Sequence, residues 1–154
     1  MTSKVLVSAC LLGQPVRYDA RSNANTRLME IQREGRVVPV CPEVAGGLAV
    51  PRPAAEIVGG DGNDVLDGNA TVQTADGIDV TKAFIDGAHH ALRLAQRHGV
   101  AAVVLKARSP SCGNHAIYDG SHSGVLTAGE GVTTALLRRH GILVLNEDEL
   151  DQLP

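Results

Sequence analysis

Aromatic side chains are almost missing from this sequence. Among 154 residues it has no tryptophan, one phenylalanine and two tyrosines, namely Phe84, Tyr18 and Tyr118. Proteins that bind single-stranded nucleic acid without sequence preference stack the bases on aromatic side chains. The net charge of -3 also differs from the basic balance that is typical of nucleic-acid binding. We therefore expect an aliphatic core and no nucleic-acid polymer as a partner.

Long hydrophobic runs are absent as well. No segment approaches the roughly 20 apolar residues of a membrane-spanning helix, and the apolar stretch in MTSKVLVSAC is too short for the core of a signal peptide. Cysteine is limited to three positions, an odd number that a secreted disulfide scaffold would rarely use. These absences predict a cytoplasmic protein without a membrane partner.

What the sequence does contain is an alternation of strand and helix patterns. Runs rich in β-branched residues predict strands at residues 4–9, 37–40, 101–106 and 142–145. Helical periodicity predicts helices at about residues 25–34, 81–98 and 131–140. This order is typical of an α/β fold, here a single domain over residues 1–154 with a mostly parallel open sheet and flanking helices.

A weak internal similarity marks the joints between helix and strand. The segments MEIQREGRVVPVC, LAQRHGVAAVVLKA and LLRRHGILVLNE each place an arginine in the last helical turn, then a glycine, then a strand. Gly35, Gly99 and Gly141 are expected to adopt the left-handed conformation that ends a helix. Two segments without this pattern, residues 42–79 and 110–130, are predicted to be long functional loops, with one short strand near residues 71–74.

The three cysteines each follow a predicted strand. Cys10 ends the first strand, Cys41 ends the second, and Cys112 lies on a Ser-Pro-Ser turn beyond the third. In an open parallel sheet the carboxyl ends of the strands meet at one edge, where ligands bind. We therefore expect the cysteines to converge on a shared metal or cluster, although a cysteine also serves as a small core residue.

The cysteine pattern leaves the nature of the bound group open. No CxxC pair, the usual spacing of structural zinc, is present. Three thiolates would leave one coordination position free on zinc or on one iron of a [4Fe-4S] cluster, unless His115 or His122 fills it. The alternatives are an iron–sulfur enzyme, a zinc-dependent hydrolase on a three-thiolate site, and a non-catalytic sulfur-carrier or binding domain.

Several segments of the chain, in order, resemble the thiouracil desulfurase family. They are VSACLLGQPVRYD (residues 7–19), VCPEVAGGLAVPRPAAEI (40–57), GIDVTKAFIDGA (77–88), LKARSPSCGNHAIYDG (105–120) and GVTTALLRRHGI (131–142). The resemblance implies an α/β fold and an oxygen-sensitive [4Fe-4S] cluster held by Cys10, Cys41 and Cys112. It also implies non-redox removal of sulfur from a thiolated pyrimidine, as base, nucleoside or nucleotide, to give a uracil-type product and sulfide.

Other candidate site residues lie near the cysteines. Replacing sulfur by oxygen requires a base that activates water, and Glu43, two residues after Cys41, is the first candidate, followed by Asp19. Ser109 is expected to act beside them as a hydrogen-bond donor, although serine is also common in turns. The candidate substrate-binding residues are Ser8, Ser111, Arg17 and Arg108.

Two further motifs have weaker functional interpretations. GEGVTT opens the last predicted helix, and the N-terminus of a helix can bind a phosphate. GGDGNDVLD matches one calcium-binding turn of a β-roll, but a single turn cannot bury its own face, so we predict a polar loop or hairpin tip.

Overall fold

The structure is a computed structural model that describes residues 3–20 and 24–154. Its strands are β1 (Val5–Ser8), β2 (Val37–Val40), β3 (Ala55–Val58), β4 (Thr71–Thr74), β5 (Ala102–Leu105), β6 (Ala116–Tyr118), β7 (Leu126–Ala128) and β8 (Val144–Asn146). Its α-helices are α1 (Thr26–Arg33), α2 (Pro42–Ala45), α3 (Gly62–Leu66), α4 (Thr81–His98) and α5 (Val132–Arg139). Short 3-10 helices cover Ala9–Leu12 and Leu150–Gln152.

A four-stranded parallel sheet forms the centre of the molecule. Its strand order is β2-β1-β5-β8, and every neighbouring pair is parallel. These are the four strands that the sequence predicts, with β8 lying slightly later than expected. The prediction of an α/β fold on a mostly parallel open sheet with flanking helices is confirmed.

Apolar residues cover both faces of this sheet. Leu6 of β1 packs into a core cluster with Phe84 of α4 and Leu137 of α5. Its neighbours Val5 and Val7 belong to a second cluster, which includes residues of α1. Successive side chains of a strand point to opposite faces, so β1 is buried from both sides, as its nearly continuous apolar run predicts.

The helix ends follow the local sequence signals. Asn25 caps α1, because its side-chain oxygen accepts a hydrogen bond from the backbone N–H of Leu28 at 3.1 Å. Gly35, Gly99 and Gly141 have φ values of +74°, +56° and +74°, so the predicted left-handed conformation is confirmed at all three joints.

The short strand predicted near residues 71–74 is confirmed as β4. The two segments predicted as long loops contain further regular structure, so that part of the prediction is wrong. Residues 42–79 include α2, α3 and an antiparallel pair of β3 with β4, and residues 110–130 include the antiparallel pair of β6 with β7. Tertiary packing stabilises these short elements, since Ile57 and Val72 of the first pair are almost fully buried. GGDGNDVLD, residues 59–67, contains the whole of α3, so the polar loop or hairpin tip predicted there is wrong. Asp61 and Asp64 form a capping box at the start of this helix.

No helix in the described ranges combines the length and the apolar character that a membrane span requires.

Candidate functional site

All three cysteines line one cavity of about 440 Å³. Its walls include the residues that directly follow β1, β2 and β5 and the turn that contains Cys112. Since the sheet is parallel, the carboxyl ends of these strands point to the same edge. The topology thus brings Cys10, Cys41 and Cys112 together from distant parts of the chain.

Each cysteine is fixed by local backbone structure. Cys10 lies in the buried 3-10 turn that follows β1. Cys41 is the N-cap residue of α2, and its thiol points to the carbonyl oxygen of Val16 at 3.8 Å. The backbone N–H of Cys112 donates to Ser109 Oγ at 2.7 Å. These contacts leave all three thiols facing the cavity without a disulfide.

Ser8 links the first and third cysteine segments. Its hydroxyl lies 4.0 Å from Cys112 Sγ and accepts a hydrogen bond from the backbone N–H of Lys106 at 3.1 Å. Ser8 belongs to β1 and lines the cavity two residues before Cys10. Its side chain therefore ties the end of β1 to the turn that carries Cys112.

Burial keeps the free thiols protonated. Burial, together with a charge on Cys41, raises the pKa of Cys10 to about 11. Burial also raises the pKa of Cys112 to about 12, with contributions from the charges of Glu43 and Cys41. Burial raises the pKa of Cys41 as well, against hydrogen bonds from the backbone N–H groups of Val44 and Glu43. Three neighbouring thiolates at this place require a positively charged partner, which a metal centre provides.

The arrangement of the thiols suits a cluster better than a single ion. Within the described ranges, no group of three or more His, Cys, Asp or Glu side chains is arranged so that it could hold a metal ion. Around one zinc ion, with Zn–S bonds of about 2.3 Å, sulfur atoms would approach to about 4 Å. The three cysteines instead line one cavity of about 440 Å³, and soft thiolate donors are the ligands of iron–sulfur clusters.

Glu43 faces the same cavity and is held by a buried arginine. Arg52 Nε donates to Glu43 Oε1 at 3.2 Å, and the Arg52 side chain is only 6% exposed. Burial raises the pKa of Glu43, whereas the charge and hydrogen bond of Arg52 lower it. Arg52 also donates to the carbonyl oxygens of Val16 and Ala49 at 3.2 and 3.1 Å. The carboxylate is thus fixed beside the cysteines by a cation that favours its ionised form.

The other predicted site residues separate into two groups. Ser8, Ser109, Arg17 and Arg108 line the cavity together with the cysteines and Glu43. Ser111 and Asp19 are not among the described residues that line it. Ser111 is fully buried and shares a hydrogen bond of 2.8 Å with Thr133 Oγ1, and Asp19 pairs with Arg17 Nη2 at 3.6 Å.

The two histidines considered as a fourth ligand lie elsewhere. His115 Nε2 is 2.8 Å from Glu149 Oε2, and His122 Nδ1 is 3.7 Å from Glu56 Oε2. Neither histidine is among the described residues of the cavity wall. The structure therefore brings three cysteines together without a histidine beside them.

The phosphate site predicted at the start of α5 is wrong. The N–H of Val132 donates to the carbonyl oxygen of Pro110 at 2.9 Å, and those of Thr133 and Thr134 donate to that of Ser111 at 2.8 and 3.3 Å. The free N–H groups that would bind an anion are therefore already used. They hold the Cys112 turn instead, as does Thr134 Oγ1, which donates to the carbonyl oxygen of Cys112 at 2.9 Å.

Sequence reasoning missed three side chains of the cavity wall. Tyr18 and Tyr118 both line it, although the chain has only one other aromatic residue. Glu56 of β3 is a second carboxylate of the wall. All three lie within segments that resemble the thiouracil desulfurase family, but no periodicity or spacing distinguished them from the other residues of those segments.

Comparison with known proteins gives consistent matches over nearly the full chain. The sequence model of a family described as 2-thiouracil desulfurase matches residues 5–149. A Bacillus subtilis (strain 168) protein described as uncharacterized protein YbbK is 44% identical over 149 residues, which cover 97% of this chain and 99% of the relative. A solved structure described as [4Fe-4S]-dependent thiouracil desulfidase TudS is 50% identical, with a TM-score of 0.88, and the match covers 99% of this chain and 95% of the other.

Proposed function

Since the chain belongs to the 2-thiouracil desulfurase family, we propose that it hydrolyses the C=S bond of a thiolated pyrimidine in a [4Fe-4S]-dependent reaction. Water supplies the oxygen of the uracil-type product, sulfur leaves as hydrosulfide, and no electrons are transferred to or from the substrate. The main observation in support is the convergence of three thiols on one cavity, in a fold shared with a [4Fe-4S]-dependent thiouracil desulfidase.

Cys10, Cys41 and Cys112 would hold the cluster. With three protein ligands, such a cluster would leave one iron free to serve as a Lewis acid towards the substrate sulfur and to polarise the C=S bond. Ser8 supports this ligand set, because its hydroxyl contacts Cys112 Sγ and thereby orients the sulfur.

Glu43 is the base that takes a proton from the attacking water. Its carboxylate lines the cavity, and Arg52 both orients it and favours its ionised form. Ser109 Oγ accepts the N–H of Cys112, so its own hydroxyl proton is directed elsewhere, and Ser109 also lines the cavity. This hydroxyl is placed to donate to a polar atom of the pyrimidine. Asp19 acts through Arg17, with which it forms an ion pair.

The cavity also has groups that suit the rest of the substrate. Tyr18 and Tyr118 offer flat surfaces on which a pyrimidine ring can stack. Arg17 lies over the Tyr18 ring, with 5.8 Å from its guanidinium carbon to the ring centroid. Among the described lining cations, Arg108 alone has no ion-pair partner. We assign Arg17 and Arg108 to an anionic or carbonyl group of the substrate, while Ser111 supports Cys112 from behind.

A sulfur-carrier function is less compatible with this site. A persulfide carrier requires an accessible thiol of low pKa, whereas Cys112 is 5% exposed and burial raises its pKa to about 12. A zinc hydrolase is less compatible with the described residues, among which no group of three or more His, Cys, Asp or Glu side chains is arranged to hold a metal ion. A cavity of about 440 Å³ suits a mononucleotide or a smaller molecule better than a polymer. Free thiols suit the reducing cytoplasm.

Anaerobic reconstitution with iron and sulfide tests the proposal. We expect a brown protein with a broad visible absorption band that releases sulfide from thiouracil and from thio-UMP. A loaded protein that releases sulfide from neither compound would refute the proposed reaction. A colourless protein with stoichiometric zinc and hydrolytic activity would favour the zinc alternative.

A further inference from the structure

The carboxylate of Glu56 holds a turn formed by residues 119–124, the connection between β6 and β7. Its Oε1 accepts hydrogen bonds from the backbone N–H groups of Gly120 at 2.9 Å and His122 at 3.2 Å. Its Oε2 lies 3.7 Å from His122 Nδ1. The Glu56 side chain is only 12% exposed, so these contacts are largely shielded from water. One carboxylate therefore satisfies two backbone donors of the turn.

The turn fits tightly against β3 at this point. Gly120 has a φ of +91°, and a Cβ atom built on it would lie 2.5 Å from the carbonyl oxygen of Ile57. His122 has a φ of +57°, which is unusual for a residue with a side chain. The turn thus combines a strained backbone with a close approach to β3, and such a conformation persists only where surrounding contacts enforce it.

Both ends of this turn reach the cavity of the three cysteines. Tyr118, at the end of β6, and Gly124 line that cavity, as does Glu56. Tyr118 is paired with Leu126 of β7, so the position of this part of the wall depends both on that strand pair and on the contact of its turn with β3. The hydrogen bonds of Glu56 link the turn to β3.

We propose that Glu56 is a positioning residue for substrate binding. By holding residues 119–124 on β3, it fixes the wall against which the pyrimidine ring lies. This inference rests on the proposed function. Glu56 does not touch the reacting atoms in this scheme, so its loss affects the Michaelis complex more than the chemical step. Without Glu56, the substrate has to order residues 119–124 as it binds, and the free energy that this ordering costs lowers its affinity.

The test compares Glu56→Ala with Glu56→Gln in the cluster-loaded protein. Glutamine keeps an oxygen that can accept both N–H groups, whereas alanine removes it. For Glu56→Ala we expect KM for thiouracil to rise about ten-fold, with kcat within about two-fold and unchanged cluster absorption. Glu56→Gln should stay near the wild type. Independently of activity, the Gly120 and His122 amides should exchange with deuterium faster in Glu56→Ala only.

Two more variants separate this role from a general loss of stability. Gly120→Ala disturbs the same turn from the β3 side and should also raise KM. Glu130→Ala is the matched control, because Glu130 pairs with Arg138 and Asn63 outside the cavity wall, and its KM should not change. Wild-type KM in Glu56→Ala, or a fall in kcat alone, would overturn the proposal. If the loaded wild-type protein releases no sulfide, the proposed function fails, while the exchange data still decide whether Glu56 holds the turn.

Discussion

Gly46 and Gly87 bring the backbones of α2 and α4 into direct contact. A Cβ atom on Gly46 would lie 1.9 Å from the carbonyl oxygen of Ala83, and one on Gly87 would lie 1.9 Å from that of Pro42. Because α2 begins directly after Cys41 and carries Glu43, this contact sets the position of both residues. Gly46 thus acts through the packing of α2 on α4.

Gly87→Ala should therefore disturb the site from a distance. The added methyl group must displace α2, and we expect it to lower the free energy of unfolding by about 1–3 kcal/mol. The displacement should also reduce the iron bound after reconstitution. Urea denaturation of the cluster-free protein and iron analysis test both expectations. Gln96→Ala, at an exposed position of the same helix, is the control. An unchanged denaturation midpoint in Gly87→Ala would contradict this account.

Cys10→Ser, Cys41→Ser and Cys112→Ser should all have the same effect. If the three thiolates hold one cluster, each variant loses most of the visible absorption and the release of sulfide. Circular dichroism of the cluster-free variants checks that the fold is retained. A result in which one variant is inactive and the other two keep colour and activity would point to a single reactive thiol, and would rule out the shared ligand set.

Glu43→Gln should abolish the proposed proton transfer while the protein still binds the cluster. Glutamine can still accept the hydrogen bond of Arg52 but cannot take a proton from water. We expect kcat to fall by about a hundred-fold or more, with iron content and KM close to those of the wild type. Steady-state kinetics and visible spectra measure these quantities. Loss of the cluster in this variant would instead indicate that Glu43 supports the fold around Cys41.

Arg108 combines a strained backbone with a position in the cavity wall. Its φ is +76°, a conformation that costs a residue with a side chain about 1–2 kcal/mol. Arg108→Gly should relieve this strain, offset in part by the greater freedom of glycine in the unfolded chain, for a net gain of about 0.5–1 kcal/mol. Arg108→Ala should show no gain in stability, because alanine also has a side chain and keeps the strain of a positive φ. Both variants should have a higher KM if Arg108 contacts substrate.

The comparison of Arg108→Gly with Arg108→Ala is made by urea denaturation and by steady-state kinetics on the same preparations. Greater stability together with weaker substrate binding in Arg108→Gly is the expected combination. Wild-type KM in both variants would remove Arg108 from the substrate site, whatever the effect on stability.

The central sheet was predictable because its signals are local. Continuous β-branched runs mark the four parallel strands, and a glycine with a preceding arginine marks the ends of α1, α4 and α5. The strand near residues 71–74 was predicted, but its pairing with β3 and the pair of β6 with β7 were not, because sequences such as AEIV and AIY lack the continuous β-branched run that marks the central strands. Their stability comes from burial of residues such as Ile57 and Ile117, which the sequence alone does not place.

The contrast between local signals and tertiary packing also explains which residues of the candidate site could be predicted. The cysteines were predictable together, because the topology of a parallel sheet alone moves strand ends to one edge. Glu56 and Tyr118 were not, since they reach the cavity from β3 and β6. Ser111 shows a further difficulty: it precedes Cys112 directly, yet its side chain is buried against Thr133. Neighbouring residues of an irregular turn point in different directions, and no sequence period gives those directions.

Glu149 anchors the segment that follows Cys112. Its Oε1 accepts hydrogen bonds from Asn114 Nδ2 at 2.7 Å and from the backbone N–H of Asn146 at 2.9 Å, and its Oε2 faces His115. Burial raises the pKa of Glu149, but the hydrogen bonds from His115, Asn146 and Asn114 outweigh it and lower the pKa to about 2. The ionised carboxylate therefore stabilises the folded protein.

This lowered pKa predicts how stability depends on pH. A carboxyl group with a folded pKa of about 2 and an ordinary value of 4.5 contributes stability above pH 4.5, and that contribution disappears as the pH falls towards 2. We expect roughly 1–2 kcal/mol, because solvent screens the exposed His115. Urea denaturation should show Glu149→Gln less stable than the wild type near pH 6, with a smaller difference at about pH 3. A difference that does not change with pH would mean that Glu149 acts through the shape of its hydrogen bonds and not through its charge.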